Sequence, residues 1–321
     1  MRRKPKVPPA PLPQRDGVDP VRLRLPPGGP WTTVRDHLVD RLPAAGPGTI
    51  DAMLRERRIV GTDGPVAPDA PFVPGAFVWF HRDLPDEVPV PFSLDVLHHD
   101  ENLVVVDKPH FLATTPRGSH VAETALARLR RDLRIPELSP AHRLDRLTAG
   151  LAMFVVRPEH RRAYQMLFQE RRVRKEYQAV APFAPGLVLP CTVRSRIVKE
   201  RGVIAAREVP GPPNSESRIE LAERRGGLGR YRLLPLTGRT HQLRLHMSSL
   251  GVPLLGDPVY PVVTDPAPDD FGRPLQLLAD VVEFTDPVTG ELRRFESRRT
   301  LQAWSSYEGW AGGGAGGRSG P

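Results

Sequence analysis

Cysteine is almost absent. Cys191 is the only one among 321 residues, so neither an intramolecular disulfide nor a four-cysteine zinc site can form. Long hydrophobic runs are missing as well, since none approaches the roughly 18 apolar residues of a membrane span. The opening stretch MRRKPKVPPAPLPQRDG is basic but broken by proline, and it lacks the apolar segment of a secretory signal. A reduced, cytoplasmic protein with no membrane partner is the expectation. Lysine is scarce too, five among the 46 Lys and Arg, so arginine carries nearly all the positive charge.

What the chain has in excess is charge of one sign. The 46 basic residues face 37 acidic ones, for a formal charge of +9, and the pI is near 10.2. Part of this excess is compositional drift toward arginine in a chain that also holds 38 prolines. A pI this high is nevertheless the electrostatic footprint of a nucleic-acid binder. The length accommodates one large and one small domain at roughly 100–200 residues each, with enough core to need neither metal nor disulfide.

Residues 1–30 contain nine prolines and no periodic apolar pattern, which predicts a disordered basic arm. Residues 31–82 form a small α+β module. Val34, Leu38 and Leu42 make a helical stripe behind a Thr cap, and Ile50, Met53 and Leu54 mark a second helix. Val66 and Phe77–Phe80 read as strands. Prolines and the Asp86-Glu87 pair place a linker at 83–91. The main domain is expected at 92–308, and the glycine-rich 309–321 reads as a flexible tail. Within the main domain, Leu94–Leu97 and Leu103–Val106 read as strands around a turn. Helices are expected over Val121–Arg134 and Pro158–Arg172, and a strand over Val173–Val180. Short strands interleaved with helices predict an α+β domain.

Three stretches could carry chemistry. In His142-Arg143-Leu144-Asp145-Arg146, a loop feeds the apolar run Ala152–Val156, and a rigid scaffold can fix a reactive side chain there. Cations on both sides of Asp145 favour its charged form, although an aspartate among arginines is more commonly a plain surface ion pair. In Leu236–Met247, Thr240 is placed to cap a helix ending at Gly251, and Arg239 at the preceding turn can grip a carboxylate or phosphate. His241 and His246 are five apart, have no local acid or thiol, and do not share a helix face, so no metal is expected. Finally, Arg157 to Lys175 holds seven Lys and Arg against two acids, with Tyr177 just beyond. It can track phosphates and stack a base, or equally be a solvated helix face.

Laid side by side, these stretches resemble the RluA-type family of RNA pseudouridine synthases. The matching segments follow in family order: Leu103–Pro109, His142–Asp145 with Thr148 and Gly150-Leu151, Lys175-Glu176-Tyr177, Gly238–His246 and Gly256–Tyr260. Two departures stand out. Ala149 occupies a usual serine position, and Leu277-Leu278-Ala279 stands where Leu-His-Ala is usual.

The resemblance implies a catalytic domain with a central mixed, mostly antiparallel sheet. Separately, the helix, helix, strand order of 31–82 resembles the small RNA-binding module of certain ribosomal small-subunit proteins. It is diverged here because the basic positions of its first helix are only partly filled, and a packing appendage without RNA contact stays equally open. The family resemblance implies an isomerase that detaches uracil from C1′ of a ribose, rotates it and rejoins it through C5, with no cofactor. Asp145 matches the catalytic aspartate, Arg239 the arginine paired with it, and Tyr177 the tyrosine that stacks on the uracil and assists loss of the C5 proton. Arg143 would fill the space left by a flipped base, beside His142, Thr240 and His241, while Leu147, Leu151 and Leu245 would wall the pocket. The expected partner is structured RNA (tRNA, large-subunit rRNA or both), acted on by a monomer. Two other readings stay open: a non-catalytic ribosome-assembly factor on the same scaffold, and a glycosidase, which would need a second carboxylate across the sugar.

Overall fold

The computed structural model describes residues 8–83 and 87–313. The chain divides into two compact units, 1–86 and 87–321. That division falls inside the expected linker. Residues 84–86 of the linker, 1–7 of the arm and 314–321 of the tail lie outside the described residues.

In the first unit, strand β1 (Val21–Arg24) precedes helix α1 (Val34–Arg41) and helix α2 (Gly46–Arg55). The short β2 (Val60–Gly61) and β3 (Gly64–Pro65) and then β4 (Phe77–Phe80) follow. Thr33 accepts the Asp36 N–H while Asp36 accepts the Thr33 N–H, a reciprocal cap that starts α1 where the sequence places it. Ile50, Met53 and Leu54 of α2 share a core with Leu38, Val78 and Phe80. The sheet order is β1-β4-β2-β3. Strand β1 corrects the disordered arm: Val21–Arg24 pair antiparallel with Phe77–Phe80, and Leu25 is fully buried. A short alternation of Val21, Leu23 and Leu25 supplies the apolar partners that the proline count obscured.

The second unit opens with β5 (Asp95–His99) and β6 (Leu103–Lys108), then α3 (Ala125–Leu133), β7 (Ser139–Pro140) and β8 (Ala149–Val155). A short turn leads into α4 (Arg161–Gln169) and β9 (Arg174–Pro182). Next come β10 (Cys191–Val198), β11 (Arg207–Val209), β12 (Ser215–Arg225) and β13 (Leu228–Pro235). The chain continues through α5 (Gln242–Ser249), β14 (Leu277–Thr285), β15 (Leu292–Glu296), α6 (Gln302–Ser305) and α7 (Tyr307–Gly312). Eleven strands make one sheet, ordered β11-β10-β12-β13-β9-β14-β8-β6-β5, with β15 on β14 and β7 on β8. Its pairings are antiparallel except β14 with β8. The architecture is the mixed, mostly antiparallel α+β domain that the sequence leads one to expect.

Alternation explains the layers. Val104, Val106, Ala152 and Phe154 face α3 through Leu126 and Leu129, while Leu103, Val105, Leu151, Met153 and Val155 face Tyr164 and Leu167 of α4. β6 and β8 are therefore buried on both sides and form the rigid centre. Gly150 of β8 sits at φ +105, and a Cβ there would lie 2.2 Å from the Ala279 carbonyl oxygen. Only glycine allows β8 and β14 to approach this closely. The expected tail is also shorter: Ser306 caps α7, and buried Trp310 donates its indole N–H to the Pro274 carbonyl, so the folded unit continues past 308. No described helix is long and apolar enough to cross a membrane.

Candidate active site

The loop between β7 and β8 carries Asp145, and its backbone is held from behind. The hydroxyl of buried Thr114 donates to the Leu144 carbonyl at 2.8 Å and accepts the Leu144 N–H at 3.1 Å. The ammonium of fully buried Lys108 donates to the carbonyls of Pro109, Leu112 and Arg146. His110 Nδ1 donates to the Leu147 carbonyl at 2.7 Å, and the Asp145 carbonyl accepts the Thr148 N–H. Every carbonyl from 144 to 147 is thus engaged, three of them by side chains from residues 108–114. Burial lowers Lys108 to about 7 and His110 to about 4. A neutral His110 whose Nδ1 meets a carbonyl must carry its proton on Nδ1.

Asp145 faces a cavity of about 610 Å³ and is the only carboxylate among its described lining residues. Arg117, Arg143, Lys175, Arg239 and Arg244 line the same cavity. The guanidinium beside the carboxylate belongs to Arg244, with Nη1 3.9 Å from Asp145 Oδ2. Arg244 is itself gripped by buried Asp257 through two bonds of 2.8 and 2.6 Å. Asp257 also accepts the N–H groups of Val259 and Tyr260. The short fork to Asp257 fixes the orientation of Arg244, and its remaining nitrogen faces Asp145.

Arg239 does not make the expected pair. It lies exposed at the cavity rim, where its Nε donates to the Asn214 carbonyl at 3.1 Å. The reason is the helix start. Thr240 does not cap α5; His241 holds the cap position at φ 59, and its side chain makes no bond to the helix N–H groups. That left-handed residue breaks the chain direction between Arg239 and the helix, and Arg244 then falls on the buried face with Leu243 and Met247. Thr240 is exposed on the rim. Gln242 organises the turn instead. Its Oε1 accepts the Thr237 hydroxyl and the Arg239 N–H, while its Nε2 donates to the Glu216 carbonyl and Ser217 Oγ.

His241 stands with Nε2 4.0 Å from Asp145 Oδ2 and Nδ1 3.1 Å from the Tyr260 hydroxyl. Burial, reinforced by the Arg244 charge, lowers it to about 4, so it is neutral near pH 7. His142 also lines the cavity, but its Nε2 accepts the Met153 N–H and its ring stacks on Phe168 at 4.3 Å. Burial lowers it to about 3. It is a neutral pin for the loop rather than a free contact. Tyr177 reaches the cavity from β9, and its hydroxyl makes no hydrogen bond to another described residue. Burial, with the Asp145 charge second, pushes its phenol well up. Lys175, two residues earlier, has only the Thr237 carbonyl at 3.4 Å, and burial lowers it to about 8.

The apolar wall also differs from expectation. Leu144, Leu243 and Leu277 line the cavity. Leu151 is fully buried in the core against α4, because alternation along β8 turns it to the opposite face. Leu147 lines a separate cavity. Leu245 is two residues along α5 from Leu243, about 200° around the helix, and does not line this cavity. Arg143 is exposed at the mouth without a hydrogen-bond or ion-pair partner. His246 is buried and turned to the hydroxyls of Ser195 and Ser215. No metal-ligand group of three or more gathers among the described residues.

The family model described as RNA pseudouridylate synthase matches residues 102–249. The chain is 30% identical over 220 residues to the dual-specificity RNA pseudouridine synthase RluA of Haemophilus influenzae, covering 64% of this chain and 93% of that protein. It is 33% identical over 219 residues to the protein of the same name from Pasteurella multocida, with 64% and 92% coverage. Ribosomal large subunit pseudouridine synthase D of Neisseria meningitidis is 28% identical over 279 residues, covering 81% of this chain and 74% of that one. Among solved structures, human RNA pseudouridylate synthase domain containing 4 shares the fold at a TM-score of 0.52 and 23% identity, covering 68% of this chain and 93% of that one.

Proposed function

The chain belongs to the RluA-type family of RNA pseudouridine synthases, isomerases of uridine in RNA, and from this membership we propose that Asp145 performs the reaction on a flipped-out uridine. The observation that carries the proposal is a single carboxylate in a cavity whose other described lining residues are cationic, neutral polar or apolar, none of them acidic. A glycosidase would need a second carboxylate across the sugar, and among the described lining residues there is none.

In this reading Asp145 attacks the sugar or base, or promotes glycal formation, as the uracil leaves C1′. Arg244, held by Asp257, keeps the carboxylate placed and charged. Tyr177 stacks on the uracil. Because burial keeps its phenol protonated, Tyr177 can take the C5 proton only by giving up its own in the same step, and the balance closes at uracil N1, which loses its bond to C1′ and carries an N–H in the product. Leu144, Leu243 and Leu277 exclude the water that would otherwise trap a reactive sugar. Arg143, exposed and unpaired at the mouth, fills the gap in the RNA stack, offsetting part of the few kcal/mol of unstacking. Lys175 and Arg239 contact phosphates around the target.

The RNA is tRNA, large-subunit rRNA or both, and its target is a uridine in a loop, where bases splay most easily. A monomer acting in the cytoplasm suffices. In the first unit, Arg22 and Arg24 flank Phe77, with guanidinium carbons 6.0 and 5.7 Å from the ring centre. We assign this patch to RNA contact.

The test is Asp145→Asn in the full chain. Pseudouridine formation is abolished while RNA affinity stays nearly unchanged; a variant that still makes product overturns the assignment.

A further inference from the structure

Asp145 and Arg146 are neighbours in sequence that face different cavities. The second, of about 410 Å³, is lined by Arg146, Phe111, Tyr260, Pro258 and Arg273 among others. Asp257, bound to Arg244, belongs to its wall, so the two cavities stand on opposite sides of the Asp145–Arg146 backbone and the Arg244–Asp257 pair.

Arg146 is partly buried, and its guanidinium has no hydrogen bond or ion pair with any described residue. A desolvated charge without a partner is unfavourable, and burial pulls its pKa down. A second cation adds to it: exposed Arg273 at the rim is likewise unpaired. Of the two carboxylates lining this cavity, Asp257 is paired with Arg244, while Asp270 is exposed to solvent and accepts the Gly272 N–H. Phe111, Tyr260 and Pro258 contribute the apolar part of its wall, the two rings being largely buried.

We infer that this second cavity is an anion subsite in which Arg146, with Arg273 at its rim, binds a phosphodiester of the RNA next to the target nucleotide. The inference rests on the isomerase reading for the identity of the ligand. Its chemistry, a phosphate oxyanion against an unpaired guanidinium, could also be met by free phosphate.

The probe is bulk tRNA transcribed without modification, bound to the full chain between about 50 and about 200 mM KCl. Each phosphate contact contributes roughly 0.7–0.9 to the slope of log affinity against log salt. Arg146→Gln is expected to lower the slope by about that amount, Arg146→Lys to keep it, and Arg273→Gln to lower it by less. Melting temperature separates contact from scaffold. Removing an unpartnered charge leaves it unchanged or higher, whereas a structural arginine would lower it. An unchanged slope in Arg146→Gln overturns the subsite. So does a wild-type melting temperature raised by inorganic phosphate, and not in Arg146→Gln, with no change in RNA slope; that result would assign the cavity to free phosphate. Pseudouridine is scored in the same RNA. Its absence from the wild type would count against the isomerase reading, while the slope still decides the subsite.

Discussion

Two arginines of one short stretch part company at the residue scale. Arg244 is clamped between Asp257 and Asp145, whereas Arg239 stands outside on the rim. Arg244→Lys keeps the charge but loses the planar fork. We expect kcat to fall on the order of 100-fold, as when a preorganised charge partner is removed, while Arg239→Lys changes kcat only a few-fold. Single-turnover assays with the enzyme in saturating excess over RNA distinguish the two, and equal losses would remove the distinction. Asp257→Asn strands the buried Arg244 charge and should destabilise the protein by about 3–5 kcal/mol, read by chemical denaturation. Asp145 and Tyr177 were singled out only through the family resemblance, because locally one reads as a surface ion pair and the other as a core aromatic. The sequence did not separate Arg239 from Arg244, since the choice depends on one left-handed residue, His241, ahead of α5. The helical spacing of Arg244 with Leu243 and Met247 was the signal that could have done so.

Among the elements, β8 decides the geometry. Gly150→Ala would put a methyl group against the Ala279 backbone in a conformation that L residues disfavour. Separating β8 from β14 should cost about 3 kcal/mol or more, and activity should fall with it because Asp145 lies five residues upstream. A melting temperature equal to wild type would refute this. α1 and α3 were readable from their helical spacing and β6 from its continuous apolar run. Strand β1 and helix α7 were not, since proline and glycine dominate their neighbourhoods and only pairing with distant partners, Phe77–Phe80 and Pro274, makes them ordered.

For the molecule as a whole, acid is the weak side. His110, His142 and His241 are held at about 4, 3 and 4, below the ordinary value near 6.5. At these three histidines the unfolded chain therefore binds more protons below about pH 6.5, so the stability they contribute is fully present above that pH and falls as pH drops toward 4. The denaturation midpoint should be lower at about pH 5 than at about pH 7, and His142→Gln should flatten the slope. A rise on acidification would contradict it. Removing residues 1–86 should change which uridines are modified more than the chemistry, because the second unit carries its own cores. A transcriptome-wide pseudouridine map that is identical with and without that segment would make it a spectator.

The grip on the loop at 144–147 reaches beyond placement. A hydroxyl, an ammonium and an imidazole from one seven-residue stretch occupy its backbone oxygens, so the loop cannot drift by small steps; it must release several donors together. Heat inactivation should consequently be abrupt, with full turnover persisting to the brink of melting and no warm, loosened form of reduced activity in between.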